Sequence, residues 1–365
     1  MEYHFGLIFQ LTEFKRLQTL KFNKSGRKKI ITIFYSDGRE TSAYATKFWR
    51  KNVLTVRGHW GWLLFEIYGR CIPAPPVSTP SSQFSRLADF EGLLQDSRLQ
   101  IPEFTRSDRI RGKAFIDSNC PGGKFVCLNI RDSGYYASPM WLKTNADYHN
   151  YRDSDISTYV KAAEALAEMG YTVFRMGAIV KEPLISKHPR VIDYATNGMR
   201  TEFLDIFLGA HCTFCISTGS GWDSVATIFR RPIMFVNLLP VFVPAAITLP
   251  ITIYPKLLAD KDSSSTLSLK ELTERNLVTP HNSAAYADAG VEIRDLSSEE
   301  LVEAVTEMAQ RVKGTFVETP EQKEMQAKLK HILSTHPKLQ PTPNYYPIRS
   351  EFASYFLSRY PNFLE

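Results

Sequence analysis

The chain has 365 residues, 44% hydrophobic and 22% charged, a make-up that excludes wholesale disorder and leaves material for more than one domain. Five cysteines scattered over that length exclude a disulfide-stapled secreted module and point to reduced thiols in the cytoplasm. The net charge of +6 is uneven: residues 1–60 hold twelve Lys/Arg against four Asp/Glu, a net of +8, and the remainder is net −2. Such a segment suits an anionic surface, whether phospholipid, phosphorylated acceptor or nucleic acid, or else forms a solvated basic face with no partner. No zinc finger, RRM signature or long Arg-rich tract accompanies it, so nucleic acid is not an expected partner.

In chain order, Met1–Gln10 lacks the charged and apolar regions of a secretory signal. Lys29–Tyr35 reads as a strand closing at the Asp37-Gly38 turn, Tyr44–Lys51 as a short helix and Val53–Val56 as a strand. Pro73, Pro75, Pro76 and Pro80 mark a surface loop, and Phe84–Leu94 reads as a short helix. Between Arg109 and Lys124 charged, Gly, Pro, Ser and Asn residues cluster, the expected place for a domain boundary.

Beyond it the pattern sharpens. Phe125–Ile130 is a continuous apolar strand. Asp155 or Ser154 caps a helix whose apolar positions Ile156, Tyr159, Val160, Ala163, Leu166 and Ala167 share one face, with Gly170 at its end. Tyr171–Met176, Val191–Tyr194, Cys212–Ser217 and Pro232–Val236 read as strands, and Phe203–Leu208 and Gly221–Arg230 as helices. Ser297 and Glu300 form a capping box for a helix reaching about Lys313. Strands alternating with helices at this spacing predict a parallel sheet covered on both faces. Ile233–Tyr254 carries no charge, but Pro240, Pro244 and Pro250 interrupt it, so buried strand and apolar loop are expected there rather than a membrane span.

Ligands of an open α/β sheet bind outside the carboxyl ends of its strands, which singles out a few residues. Ser217-Thr218-Gly219-Ser220-Gly221 follows one strand and opens into a helix, an arrangement suited to a diphosphate, though it is neither a Walker A loop nor GxGxxG. Arg131 and Arg175 stand at strand ends, where guanidinium groups pair with phosphate oxygens or make surface salt bridges. Asp132 reads as a general base or as the neutralising neighbour of Arg131. His149-Asn150-Tyr151-Arg152 precedes a helix start; His149 reads as a base or as a loop histidine bonded to a carbonyl. Cys212 and Cys215 have a metal-like spacing but no second pair, and their strand is apolar, so no metal site is expected.

From about Lys124 onward the chain resembles a family of bacterial glycosyltransferases of the GT-B type, encoded among genes for capsule, O-antigen and other surface glycans. The residues that carry the resemblance are Arg131-Asp132, the His149–Arg152 loop, Arg175-Met176-Gly177, the Thr218–Gly221 turn, Asn237, Tyr254-Pro255-Lys256 and Phe356–Pro361. Tyr3-His4-Phe5-Gly6 looks like a degenerate form of the family's opening Gly-His-Leu segment. The resemblance implies an α/β, GT-B-like fold of two Rossmann-like domains with parallel sheets facing a central cleft. Residues 1–118 would be the acceptor-side domain, with its first strand in question, residues 119–335 the nucleotide-sugar domain, and residues 336–365 a tail packing back across both. It implies a nucleotide-sugar donor as substrate, no cofactor, no obligatory metal, a glycan or lipid-linked glycan acceptor, and a cytoplasmic place at the inner face of the membrane. The expected donor contacts are Arg131, Arg152, Arg175, Ser217, Thr218, Gly219, Ser220, Gly221 and Lys256, and the expected base is His149 or Asp132. A pyruvyl-type transferase of the same shape and a silent scaffold of a polysaccharide assembly complex are the alternatives.

Overall fold

A computed structural model describes residues 5–24, 33–36, 42–57, 63, 89, 92–135, 146–241, 251–278, 282–336, 339 and 350–365. The proline-rich loop at 73–80, the start of the expected helix at 84–94 and the apolar stretch 242–250 lie outside the described residues.

Helices α1 (Phe5–Lys24) and α2 (Ala43–Asn52) accompany a short parallel pair, β1 (Ile33–Ser36) and β2 (Leu54–Arg57). Helix α3 (Arg106–Asn119) occupies most of the segment where composition suggests a boundary, and leads into β3 (Phe125–Asn129). After two 3-10 turns come α4 (Val160–Glu168), β4 (Thr172–Met176) and β5 (Val191–Ile192). Next follow α5 (Glu202–His211), β6 (Phe214–Ser217), α6 (Asp223–Ile228), β7 (Ile233–Leu238), β8 (Ile251–Pro255) and β9 (Leu257–Asp260). The chain continues through α7 (Leu269–Glu274), α8 (Ser283–Asp288), β10 (Val291–Arg294) and α9 (Ser298–Lys313). It closes with α10 (Pro320–Thr335), β11 (Glu351–Phe352) and α11 (Ser354–Arg359).

Seven of these strands form one parallel sheet in the order β11-β8-β7-β6-β3-β4-β5. Counted from β3, that is the doubly wound order 3-2-1-4-5-6 with a seventh strand at the far edge. Every residue of β3, β4, β6, β7 and β8 is buried, so both faces of the sheet are covered, and this explains why the strands read as unbroken apolar runs. Cys127 stands opposite Cys215 in that register, both fully buried, and they pack as small hydrophobes.

The local signals act as expected at the helix ends. Asp155 caps the turn before α4, Thr201 accepts from the Leu204 N–H at the head of α5, and the Ser297/Glu300 box starts α9, which ends on Gly314 at φ 71°. Helix α2 and Phe9 of α1 share the sheet's core: Phe48 packs against Phe104 (5.1 Å between rings) and Phe229 (5.9 Å), and the Glu202 carboxylate accepts from Ser42 Oγ and Tyr44 N–H. Among the described residues, no helix is long and apolar enough to cross a membrane.

Candidate functional site

The winding direction reverses between β3 and β6, so the loops leaving these two strands diverge and open a crevice at their carboxyl ends. Asn129 and Ser217 are register partners at that point. The Asn129 amide donates to Ser220 Oγ (2.7 Å) and Asp223 Oδ1 (3.1 Å), and Ser217 Oγ donates to the same Asp223 oxygen (2.5 Å). The Ser220 N–H donates to Asp223 Oδ2 (2.5 Å), the Gly219 N–H to Ser217 Oγ (3.1 Å) and the Thr218 N–H to the Asn129 carbonyl (3.2 Å). Thr218 Oγ1 in turn accepts from the Arg131 N–H (2.8 Å).

These bonds define the turn that was expected to meet a diphosphate. The amides of Thr218, Gly219 and Ser220 are engaged by internal acceptors, a buried carboxylate sits beneath the turn, and the helix beyond it has only six residues. The turn is a polar lock between two strands. Burial pushes the Asp223 carboxyl up to about 6, against the opposing pull of its hydrogen bonds and of Arg152.

A cavity of about 390 Å³ lies in front of the lock, within the usual range of about 300–1,000 Å³ for ligand pockets. Its wall runs from Asn129–Asp132 over Arg152 and Gly177–Val180 to Arg200, Glu202, Asp205 and Ile206, and closes with Ser220–Trp222 and Ser42. Gly134 lets two of these loops meet: a Cβ there would stand 2.5 Å from the Lys181 nitrogen.

Three arginines face this space. Arg131 donates to the His149 carbonyl (2.8 Å) and pairs with Asp153 (3.1 Å). Arg152 donates from Nη2 to the Gly219 carbonyl, while its buried Nε finds no partner among the described residues. Arg200 pairs with Asp205 (2.8 Å), which also accepts from Tyr194 Oη (3.0 Å); burial outweighs both and holds Asp205 at about 6. Asp132 is fixed by the N–H groups of Gly134 (2.8 Å) and Lys181 (2.9 Å).

Of the sequence-predicted residues, Arg131, Asp132, Arg152, Ser220 and Gly221 come together on the cavity wall. Ser217, Thr218 and Gly219 lie in the lock beneath it. Arg175 is fully buried behind Asp132 (3.5 Å), with Asp193 (3.4 Å) and the Glu182 carbonyl (3.1 Å) as its other partners. Lys256 is buried against the Asp153 carbonyl (2.5 Å) and Asp295 (2.7 Å), and burial pushes its ammonium down. The His149 side chain is half-buried and is not among the residues lining the cavity. Asn129, Asp223, Arg200, Glu202, Asp205 and Trp222 were not singled out by the sequence. The signal for Glu202 and Asp205 was present as two acids in the first turn after the Thr201 cap.

The wall thus combines guanidinium groups able to grip an anion in two-pronged fashion, a fixed carboxylate able to accept a proton, and the apolar surface of Trp222 and Ile206. Among the described residues no group of three or more His, Cys, Asp or Glu is placed to hold a metal ion. No family model and no curated protein matches the chain. A solved structure of a glycosyl transferase family 9 protein from Veillonella parvula DSM 2008 is similar to it at a TM-score of 0.34 and 13% identity, over 80% of this chain and 78% of that one, a level at which neither fold nor activity transfers from one chain to the other.

Proposed function

We propose that the chain is a metal-independent glycosyltransferase of GT-B-like, two-domain build that moves a sugar from a nucleotide-activated donor to a glycan or lipid-linked glycan of the bacterial surface. The observation that carries this reading is the cavity at the strand-order reversal, where Arg131, Arg152 and Ser220 stand on one wall with Asp132. Residues 119–335 hold the donor, and residues 1–118 form the acceptor side, reaching the cavity through Ser42. The donor diphosphate lies against Arg152, whose Nε is left to be satisfied by a ligand, and against Arg131. Asp132 takes the acceptor hydroxyl proton as the acceptor oxygen bonds to the sugar carbon and the diphosphate leaves with the electron pair of the broken bond. Arg175, buried behind it, positions that carboxylate.

Thermal-shift measurement against a panel of nucleotide sugars and free nucleoside diphosphates tests the reading. One nucleotide class at a hundred times its Kd adds about 2.7 kcal/mol of stability and raises the melting temperature accordingly. A scaffold protein shows no shift with any of them, and that result overturns the proposal.

A further inference from the structure

Lys256 lies between β8 and β9, and it is not among the residues lining the cavity. Its side chain is only 3% exposed, and the ammonium meets two oxygens, Asp295 Oδ1 (2.7 Å) and the Asp153 carbonyl (2.5 Å). A buried ammonium carries a desolvation cost, and an unbranched apolar side chain of similar length would fill the same space without it. Packing alone therefore does not account for a cation at this position.

Each partner of the ammonium is fixed from a different part of the chain. The Leu296 N–H, next to Asp295, donates to Asn237 Oδ1 (2.7 Å), and the Asn237 amide donates to Tyr159 Oη (2.8 Å). Asn237 is fully buried with φ 49°, at the point where the register of β7 with β8 shifts, and the Lys256 N–H donates to the Leu238 carbonyl just beyond it (3.3 Å). Asp153 belongs to the segment 149–154, which closes on Arg131 three times. Arg131 Nη1 donates to the His149 carbonyl (2.8 Å) and pairs with the Asp153 carboxylate (3.1 Å), and the Ser154 N–H donates to the Arg131 carbonyl (3.0 Å). Arg152 of the same segment is tied separately, to the Gly219 carbonyl.

We infer, resting on the reading of Arg131 as an anion contact, that Lys256 is a positioning residue for Arg131 and does not itself meet the ligand. By holding the Asp153 carbonyl, Lys256 fixes the residue whose carboxylate orients the Arg131 guanidinium on the cavity wall. A guanidinium grips two oxygens of an anion only when its plane is held in place. Loss of Lys256 is therefore felt as weaker anion binding, and only while Arg131 is present to be oriented. The route from Lys256 through Asp153 to Arg131 does not pass through Arg152, which keeps its own anchor.

The test is calorimetric titration of the full chain with inorganic pyrophosphate. Lys256→Met should weaken binding about tenfold. Lys256→Arg, which keeps the charge and its donors, should weaken it less than about threefold. In an Arg131→Ala background, adding Lys256→Met should cost less than about twofold more, whereas in an Arg152→Ala background it should again cost about tenfold. Each titration is made below the melting temperature of the variant. If Lys256→Met melts too early, Asp295→Ala, which removes a carboxylate 34% exposed and loosens the ammonium, carries the same comparison at about threefold. No pyrophosphate binding by the parent overturns the reading of the arginines as anion contacts, and the role of Lys256 with it. Binding by the parent with unchanged affinity in Lys256→Met, or an equal loss in the two arginine backgrounds, overturns the role of Lys256 and leaves that reading standing.

Discussion

The Asn129 side-chain amide donates to Asp223 Oδ1 at 3.1 Å, joining the end of β3 to the start of α6 across the point where the strand order reverses. Ser217 and Ser220 complete the same lock, so the floor of the cavity is held by a buried polar network with a carboxylate at its centre.

Asp223→Ala removes the buried acceptor of three donors, Ser217 Oγ, Asn129 Nδ2 and Ser220 N–H. Urea denaturation should show a loss of about 3 kcal/mol, because unmade buried hydrogen bonds carry their full desolvation cost. A loss under about 1 kcal/mol would mean that water replaces the carboxylate and that the lock is not structural.

Asp205 and Asp223 are both raised from an ordinary value of 3.8 to about 6, by burial first. The folded chain therefore binds more protons than the unfolded chain between these values, and stability falls as pH rises from about 4 to about 6. Asp205→Asn should flatten that fall by on the order of 2 kcal/mol when denaturation is followed at pH 4.5 and 7.5. An unchanged pH slope would show that Arg200 and Tyr194 keep Asp205 ionised throughout.

Gly219 has φ +83°, and a Cβ there would stand 2.9 Å from Leu238 Cδ1 and 3.6 Å from Arg152 Nη2. Gly219→Val should lose about 1–2 kcal/mol of stability from the backbone conformation alone. Any fall in ligand affinity then has to be measured below the lowered melting temperature. A variant as stable as the parent would place residue 219 in a different backbone conformation.

Arg175 and Arg152 should separate cleanly. Arg175→Ala leaves Asp132 and Asp193, 12% and 11% exposed at their side chains, without their buried cation and should destabilise the fold by about 3 kcal/mol. Arg152→Ala should leave melting nearly unchanged while weakening donor binding by about 1.5–3 kcal/mol, measured by calorimetry. The reverse pattern would move the anion contact from Arg152 to Arg175.

The sheet was legible because its strands are buried on both faces: Phe125–Ile130, Tyr171–Met176 and Cys212–Ser217 are short apolar runs bounded by turn residues. Helix α1 was not, since no acid stands in its first turn and its buried residues Phe9, Phe14 and Leu17 are interleaved with Lys15 and Arg16. Strand β8 was not separated from the rest of the uncharged stretch 233–254, expected to be buried strand and apolar loop, because periodicity cannot divide it. At the site, strand ends pointed to Arg131, Asp132 and Ser220, which do line the cavity. Sequence could not show that the Arg175 and Lys256 side chains are buried against Asp193 and Asp295, which lie 18 and 39 positions away. Asn129 and Asp223 acquire their roles only through the register of β3 with β6.

Turnover of a nucleotide-sugar donor by the parent chain, Asp132→Asn and His149→Ala, with donor affinity measured on each, is the most direct test of the proposed activity. The parent should release nucleoside diphosphate from one donor class, slowly by hydrolysis and faster with a glycan acceptor. Asp132→Asn should lose about 10²–10⁴ of that acceptor-dependent rate while still binding donor. His149→Ala should keep most of it, because its side chain is not on the cavity wall. No diphosphate release by the parent from any donor in the panel would contradict the account.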